Sequence, residues 1–299
     1  PGPVPKNFLG NFLGSRSPAG APPRRDPLPP PAAGPPAAPV LHRVSWNIAG
    51  KPAAREGVTD SAFDAALLQE VRLAESSWER AHIERSAPVR PLRTVPLGTL
   101  AEAGTLPVSA AGTLAVAEIV PPVGAPFFAV SLYARWEKPR VPSRWFVGCA
   151  DAMAHRVLSD VSALIGTLDP RGHRILIAGD FNLIHGATDG NGLALPARDR
   201  SVFARLEALG FVFLGPQAPN GRQAVPVPDG LPADTGNGPT VRTNRQTAAT
   251  ATNQLDYVFA SRGFHEQVRV WALNAIDAWG PSDHCRIAID VACGDHPRR

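Results

Sequence analysis

Lysine is almost absent from this chain of 299 residues. It stands only at Lys6, Lys51 and Lys138, and arginine carries nearly all the positive charge. So general a bias reads as coding composition and not as a phosphate-binding design. The formal charge of +4 suits a polyanionic partner without requiring one. Cysteine is scarce too. Cys149, Cys285 and Cys293 are widely spaced and odd in number, which excludes a zinc pattern and a disulfide framework. Cys285 and Cys293 flank an apolar strand pattern and are expected to be buried thiols, which fits a reducing compartment, the cytoplasm. No apolar run approaches the ~20 residues of a membrane span, and no signal-peptide pattern is visible. There is no Walker A loop and no G-x-S-x-G, which argues against P-loop chemistry and a serine hydrolase.

What is present can build a core: 44% of residues are hydrophobic and 19% charged. Residues 1–39 are rich in Pro, Ala and Gly and are expected to be a disordered or polyproline-like leader. The tandem "NFLGNFLG" at 7–14 is too brief for a repeat fold. The texture changes at Val40. Strands are predicted in "VLHRVSWNIAG", "SAFDAALLQEVR", "GTLAVAEIV", "PFFAVSLYARW", "HRILIAGDFNLI", "QLDYVFAS", "VRVWALNAI" and "CRIAIDVAC". Helices are predicted in "AESSWERAHIERSA", in the stretch containing Phe146, Ala150, Met153, Val157 and Val161, and in "DRSVFARLEALG", closed by Gly210. A Pro/Gly/Thr-rich loop spans roughly 215–252. This is a mixed α/β domain over 40–293, with a disordered tail at 294–299. Two stacked sheets with helices outside would use these strands well.

Polar residues recur where the apolar runs end. Asn47 follows "VSW", Glu70 follows "AALLQ", Tyr133 follows "FFAVSL", and Asp180 and Asn182 follow "RILIAG". Asp256 sits in "QLDYVF", and Asp283 and His284 precede "CRIAI". An acid beside a buried run costs free energy unless it is paired or bound to a cation. Repetition of the pattern suggests strands converging on one charged site. Several acids and amides with one His and no Cys cluster favour a hard, oxygen-loving cation such as Mg²⁺ over zinc. Such an ion commonly serves phosphate chemistry.

The ordered series "SWN", "LLQEV", "SLY", "GDFN", "QLDYVF" and "SDH", from about Leu41 to Val291, resembles the endonuclease/exonuclease/phosphatase superfamily. That superfamily includes deoxyribonuclease I, exonuclease III-type abasic-site endonucleases, inositol polyphosphate 5-phosphatases and neutral sphingomyelinases. The resemblance implies a four-layered α/β sandwich: two packed mixed β-sheets flanked by helices, with the site at one end. It implies Glu70 as principal metal ligand, Asn47 near the metal and Asp283 completing that side. It gives Asp180 the attacking water, Asn182 a holding role, and His284 a hydrogen bond to the scissile phosphate. Asp256 would fix the His284 tautomer. Tyr133, which the abasic-site endonucleases share, stands where some other members have His. Ala49 departs from the abasic-site endonucleases, which carry Asp there.

Arg135 opens a basic stretch with Lys138, Arg140 and Arg144, which is either a solvated face or a phosphate track. With Thr240 and Arg242 of the long loop, Arg135 is a candidate for substrate binding. His185 is read as an exposed loop residue outside the site. The expected activity is Mg²⁺-dependent (or Mn²⁺-dependent) hydrolysis of a phosphodiester in nucleic acid, by a monomer with no membrane span. The alternative substrate is a phosphorylated small molecule or lipid. A binding protein on a dead scaffold is disfavoured, because the set of polar residues is intact.

Overall fold

Side chains alternating with a period of two build both sheets. The structure is a computed structural model that describes residues 39–59, 63–73, 80–85, 89–98, 104–136, 150–165, 172–188 and 196–294. Residues 1–38 and 295–299 lie outside it, and with them almost all of the expected leader and tail. In chain order the elements are β1 (Val40–Asn47), α1 (Pro52–Thr59), β2 (Ala65–Val71), β3 (Arg80–Arg85), β4 (Val89–Pro96), β5 (Thr105–Val108), β6 (Leu114–Ile119) and β7 (Phe127–Tyr133). There follow α2 (Ala150–Ile165), β8 (Ile175–Asp180), α3 (Pro196–Ala208), β9 (Phe211–Gly215), β10 (Asp256–Ser261), β11 (Val268–Leu273) and β12 (Arg286–Ala292).

One sheet runs β11-β12-β1-β2-β3 and the other β5-β4-β6-β7-β8-β10-β9. Both are mixed: β1–β2, β4–β5 and β7–β8 pair in parallel, and the other neighbours antiparallel. Three apolar clusters separate the layers. Leu41, Leu67, Phe127, Ala129, Leu176, Ala178, Val258 and Ile287 meet between the sheets. The intervening residues Val130, Leu132, Ile175, Ile177, Tyr257 and Phe259 face outwards, against Met153, Val157 and Val161 of α2 and Val202 and Leu206 of α3. On the far side Val44, Trp46, Ala66 and Leu68 meet Ala54 and Val58 of α1. Helix, sheet, sheet, helix is the four-layered α/β sandwich. Among the described residues no helix is long and apolar enough to cross a membrane.

The helix predicted in "AESSWERAHIERSA" is a strand in its described part. β3 pairs antiparallel with β2, Leu67 opposite Ile83. Pairing along the free edge of β2 gives this segment its backbone partners and buries Ala81, and this outweighs a local helical pattern. α1, β4, β5 and β9 have too little periodicity to stand out in the sequence. The long loop forms no helix or strand between Gly215 and Asp256, in line with its composition.

The topology fixes where the site must be. β1 and β2 are parallel neighbours, so Asn47 and Glu70 emerge at one end of their sheet. β7 and β8 are parallel neighbours, so Tyr133 lies opposite Asp180. β10 runs antiparallel to β8 and begins there, placing Asp256 directly opposite Asp180. β12, antiparallel to β1, likewise begins at that end, just after His284.

Candidate active site

Asn47 bridges the two sheets. Its Nδ2 donates to Glu70 Oε1 and to Asp180 Oδ2, both at 2.9 Å, while its Oδ1 accepts the Ala49 N–H at 2.9 Å. Tyr133 adds its hydroxyl to Glu70 Oε1 at 3.2 Å. Glu70 lies where the β2–β3 register shifts and has φ 53°, a left-handed conformation unusual for glutamate. The bulge directs Gln69 and Glu70 differently. Gln69 is buried and donates to Ser131 Oγ at 2.9 Å, whereas Glu70 is only half-buried at the strand end.

Asp180 is nearly inaccessible and surrounded by donors. The Asn182 backbone N–H reaches Oδ1 at 2.8 Å, and Asn182 Nδ2 reaches Oδ2 at 3.0 Å. Asn182 achieves this double contact with φ 50°, a conformation asparagine tolerates well. Burial pushes the Asp180 carboxyl up to about 7. Asp256 and Glu70 add to the rise, and His284 and the Asn182 N–H oppose it.

His284 Nδ1 lies 2.8 Å from Asp256 Oδ2, with both side chains buried. Burial works against the imidazolium. The Asp256 charge and hydrogen bond outweigh burial, helped by Asp180 and Asp283, and hold the ring up at about 10. At neutral pH His284 is therefore a cation whose Nδ1–H serves Asp256, leaving Nε2–H as a donor.

Backbone contacts fix this pair. Ser282 Oγ donates to Asn47 O at 2.7 Å and accepts the His284 N–H at 3.1 Å, tying the loop before β12 to the end of β1. Trp46 Nε1 donates to His284 O at 2.9 Å. Asp283 is half-buried, with Oδ1 3.3 Å from the Ser282 hydroxyl. Thr240 is wholly buried, and its Oγ1 accepts the Leu255 and Asp256 N–H groups at 3.0 and 3.2 Å, so it supports the base of β10. Arg242 lies beside the same loop: its N–H meets Asp283 O at 2.9 Å and its Nη2 meets Ser282 O at 3.3 Å.

Arg135 is half-buried after β7, and among the described residues no hydrogen bond joins its side chain to the acids. Lys138, Arg140 and Arg144 lie outside the described residues. His185 is half-buried, not exposed. It stacks on Phe213 at 4.0 Å and meets Phe203 edge-on at 4.9 Å. Sequence reasoning gave Ser282 and Trp136 no role. Trp136 Nε1 donates to Asn182 Oδ1 at 2.9 Å. Its nearness to Tyr133 was the available signal.

A model of the Endonuclease/Exonuclease/phosphatase family matches residues 44–284. The chain belongs to that family. The Endonuclease/Exonuclease/phosphatase member described here matches no curated protein sequence. Among solved structures it is similar to the AP endonuclease LMAP from Leishmania major, at 16% identity and TM-score 0.57, over 86% of this chain and 88% of that one. It is similar to the APE2 catalytic domain of Xenopus laevis at 15% identity and TM-score 0.57, over 85% and 92%. It is also similar to the 3' phosphatase NExo from Neisseria bound to product DNA hairpin, at 15% identity and TM-score 0.52, over 84% and 99%. At such identities the likeness is one of fold.

Divalent ions are general in the Endonuclease/Exonuclease/phosphatase family, so the donor set of this member bears on the point. Among the described residues no three His, Cys, Asp or Glu side chains form a cage for an ion. Glu70 and Asp283 supply half-buried carboxylate oxygens, whereas Asn47 turns its Nδ2 to Glu70 and its Oδ1 to the Ala49 N–H. One or two carboxylates completed by water and phosphate oxygens is the usual binding mode for Mg²⁺, so the residues fit the ion.

Proposed function

We propose that this protein is a divalent-metal-dependent phosphoesterase that hydrolyses phosphodiester bonds in nucleic acid. The observation that carries this reading is the buried Asp256–His284 pair beside Asp180, which is itself held by Asn47 and Asn182. This combination offers a base and a cationic hydrogen-bond donor side by side. Family membership supports hydrolysis of a phosphate ester.

Water held by Asp180 would give it a proton while the water oxygen bonds to phosphorus and the ester P–O bond breaks. The leaving oxygen takes its proton from solvent. A carboxyl held near 7 accepts a proton most effectively around neutral pH. Asn47 and Asn182 orient that carboxylate, and the His284 Nε2–H stabilises charge on a phosphoryl oxygen. Mg²⁺ or Mn²⁺, held by Glu70 with Asn47 and Asp283, would neutralise charge on the phosphoryl oxygens.

Nucleic acid is favoured as substrate by two observations. Tyr133 stands at the position where the abasic-site endonucleases also carry Tyr. The similar structures include an AP endonuclease and a 3' phosphatase bound to product DNA hairpin. The test is a Mg²⁺-dependent activity panel covering plasmid DNA, abasic duplex, RNA, inositol phosphates and sphingomyelin. Cleavage of a nucleic acid above all other substrates is expected. Turnover of inositol phosphate or sphingomyelin alone would overturn the assignment, and activity undiminished in EDTA would overturn the metal.

A further inference from the structure

Trp136 is the aromatic residue among the exposed large hydrophobic side chains of the described residues, with 60% of its surface open. A lone exposed apolar residue needs no explanation, but this one is held at a particular place. Its Nε1–H donates to Asn182 Oδ1 at 2.9 Å, and the Asn182 amide in turn donates to Asp180 Oδ2 at 3.0 Å and to Ala134 O at 3.2 Å. One polar atom of the indole is thus spent on the group that orients Asp180. No aromatic ring or guanidinium among the described residues stacks on it.

We propose that Trp136 is a stacking platform for the nucleobase next to the scissile phosphate, and so a specificity residue of this nuclease. The proposal rests on the nucleic-acid reading above. An indole fixed at its N–H edge presents its face with little conformational freedom left to lose. Every base has a π-face, so stacking adds affinity without demanding a sequence. The platform can work only on a base that has left its own stack. The favoured substrates are therefore single strands, strand ends or locally opened duplexes. The Trp136–Asn182 bond also ties base capture to the Asp180 region.

Wild type, W136F and W136A can be compared in EDTA for binding two labelled probes: a short oligothymidylate, and a strand of the same length built of tetrahydrofuran units without bases. Wild type should prefer the base-bearing strand about tenfold, the usual scale for one stacked base. W136F keeps an aromatic face and should retain most of that preference, whereas W136A should bind both probes alike. Oligothymidylate should also quench a component of the tryptophan emission that W136F lacks; this readout holds even if W136A folds poorly. An unchanged preference in W136A, or identical quenching in wild type and W136F, overturns the proposal while leaving a nuclease-active protein a nuclease. Lost turnover in W136A with the preference intact would make Trp136 only a positioning residue for Asn182. If wild type cleaves no nucleic acid but hydrolyses sphingomyelin vesicles, and W136A loosens vesicle binding, the nucleic-acid reading falls as well.

Discussion

His284 and Asp256 form a buried ion pair, Nδ1 to Oδ2 at 2.8 Å, between residues that no local sequence pattern connects. If the pair works as a unit on the phosphate, His284→Ala should cut turnover by at least ~10²-fold with little change in substrate affinity. Asp256→Asn should fall in the same direction, and the double variant should be scarcely worse than His284→Ala alone. Rates for the two single variants and the double test this. Losses that multiply independently would break the pairing.

Glu70 is the half-buried carboxylate to which both Asn47 and Tyr133 donate. Glu70→Gln keeps the shape and removes the charge that a hard cation needs. Isothermal titration with Mg²⁺ or Mn²⁺ should show clearly weaker binding in Glu70→Gln than in wild type. Equal affinity would remove Glu70 from the ligand set.

Gly179 lets β8 come close enough to β7 to place Asp180. A Cβ there would land on the Leu132 carbonyl oxygen, which is backbone and cannot move aside. Gly179→Ala should therefore cost about 3 kcal/mol or more, in the tail of single-substitution effects. Urea denaturation measures it, and a loss near zero would mean the two strands can separate freely.

His185 packs its imidazole among aromatic rings. Burial among Phe203, Phe213 and Tyr257 lowers its pKa below the ordinary 6.5, so the folded state favours the neutral ring. The sign follows from proton uptake: below about 6.5 the unfolded chain binds the proton more readily. The stability this ring contributes is thus complete above 6.5 and is lost as pH falls through the lowered folded value. His185→Phe keeps the stacking and removes the titration. The stability of wild type relative to the variant should decline on acidification from neutral pH, as read from urea midpoints. A constant difference would show that His185 does not titrate with unfolding.

The sequence by itself determined most of the strands, because a run such as "HRILIAGD" is apolar on both faces and can only be buried between layers. It also carried the ordered motifs from "SWN" to "SDH", because chemistry at strand ends leaves polar residues at fixed places in the chain. Tertiary structure alone decided β3, which is a strand because it pairs along the edge of β2. It decided that Asn47 of one sheet donates to Asp180 of the other across 133 positions of chain. It gave Ser282 and Thr240 their tasks at the backbone of His284 and Asp256, moved His185 from the surface into an aromatic cluster, and set Trp136 against Asn182. Apart from Ser282 with its near neighbour His284, these are contacts between residues far apart in sequence. Hydrophobic periodicity reports which face of an element is buried, but not which distant partner lies there, so only the packed layers could select them.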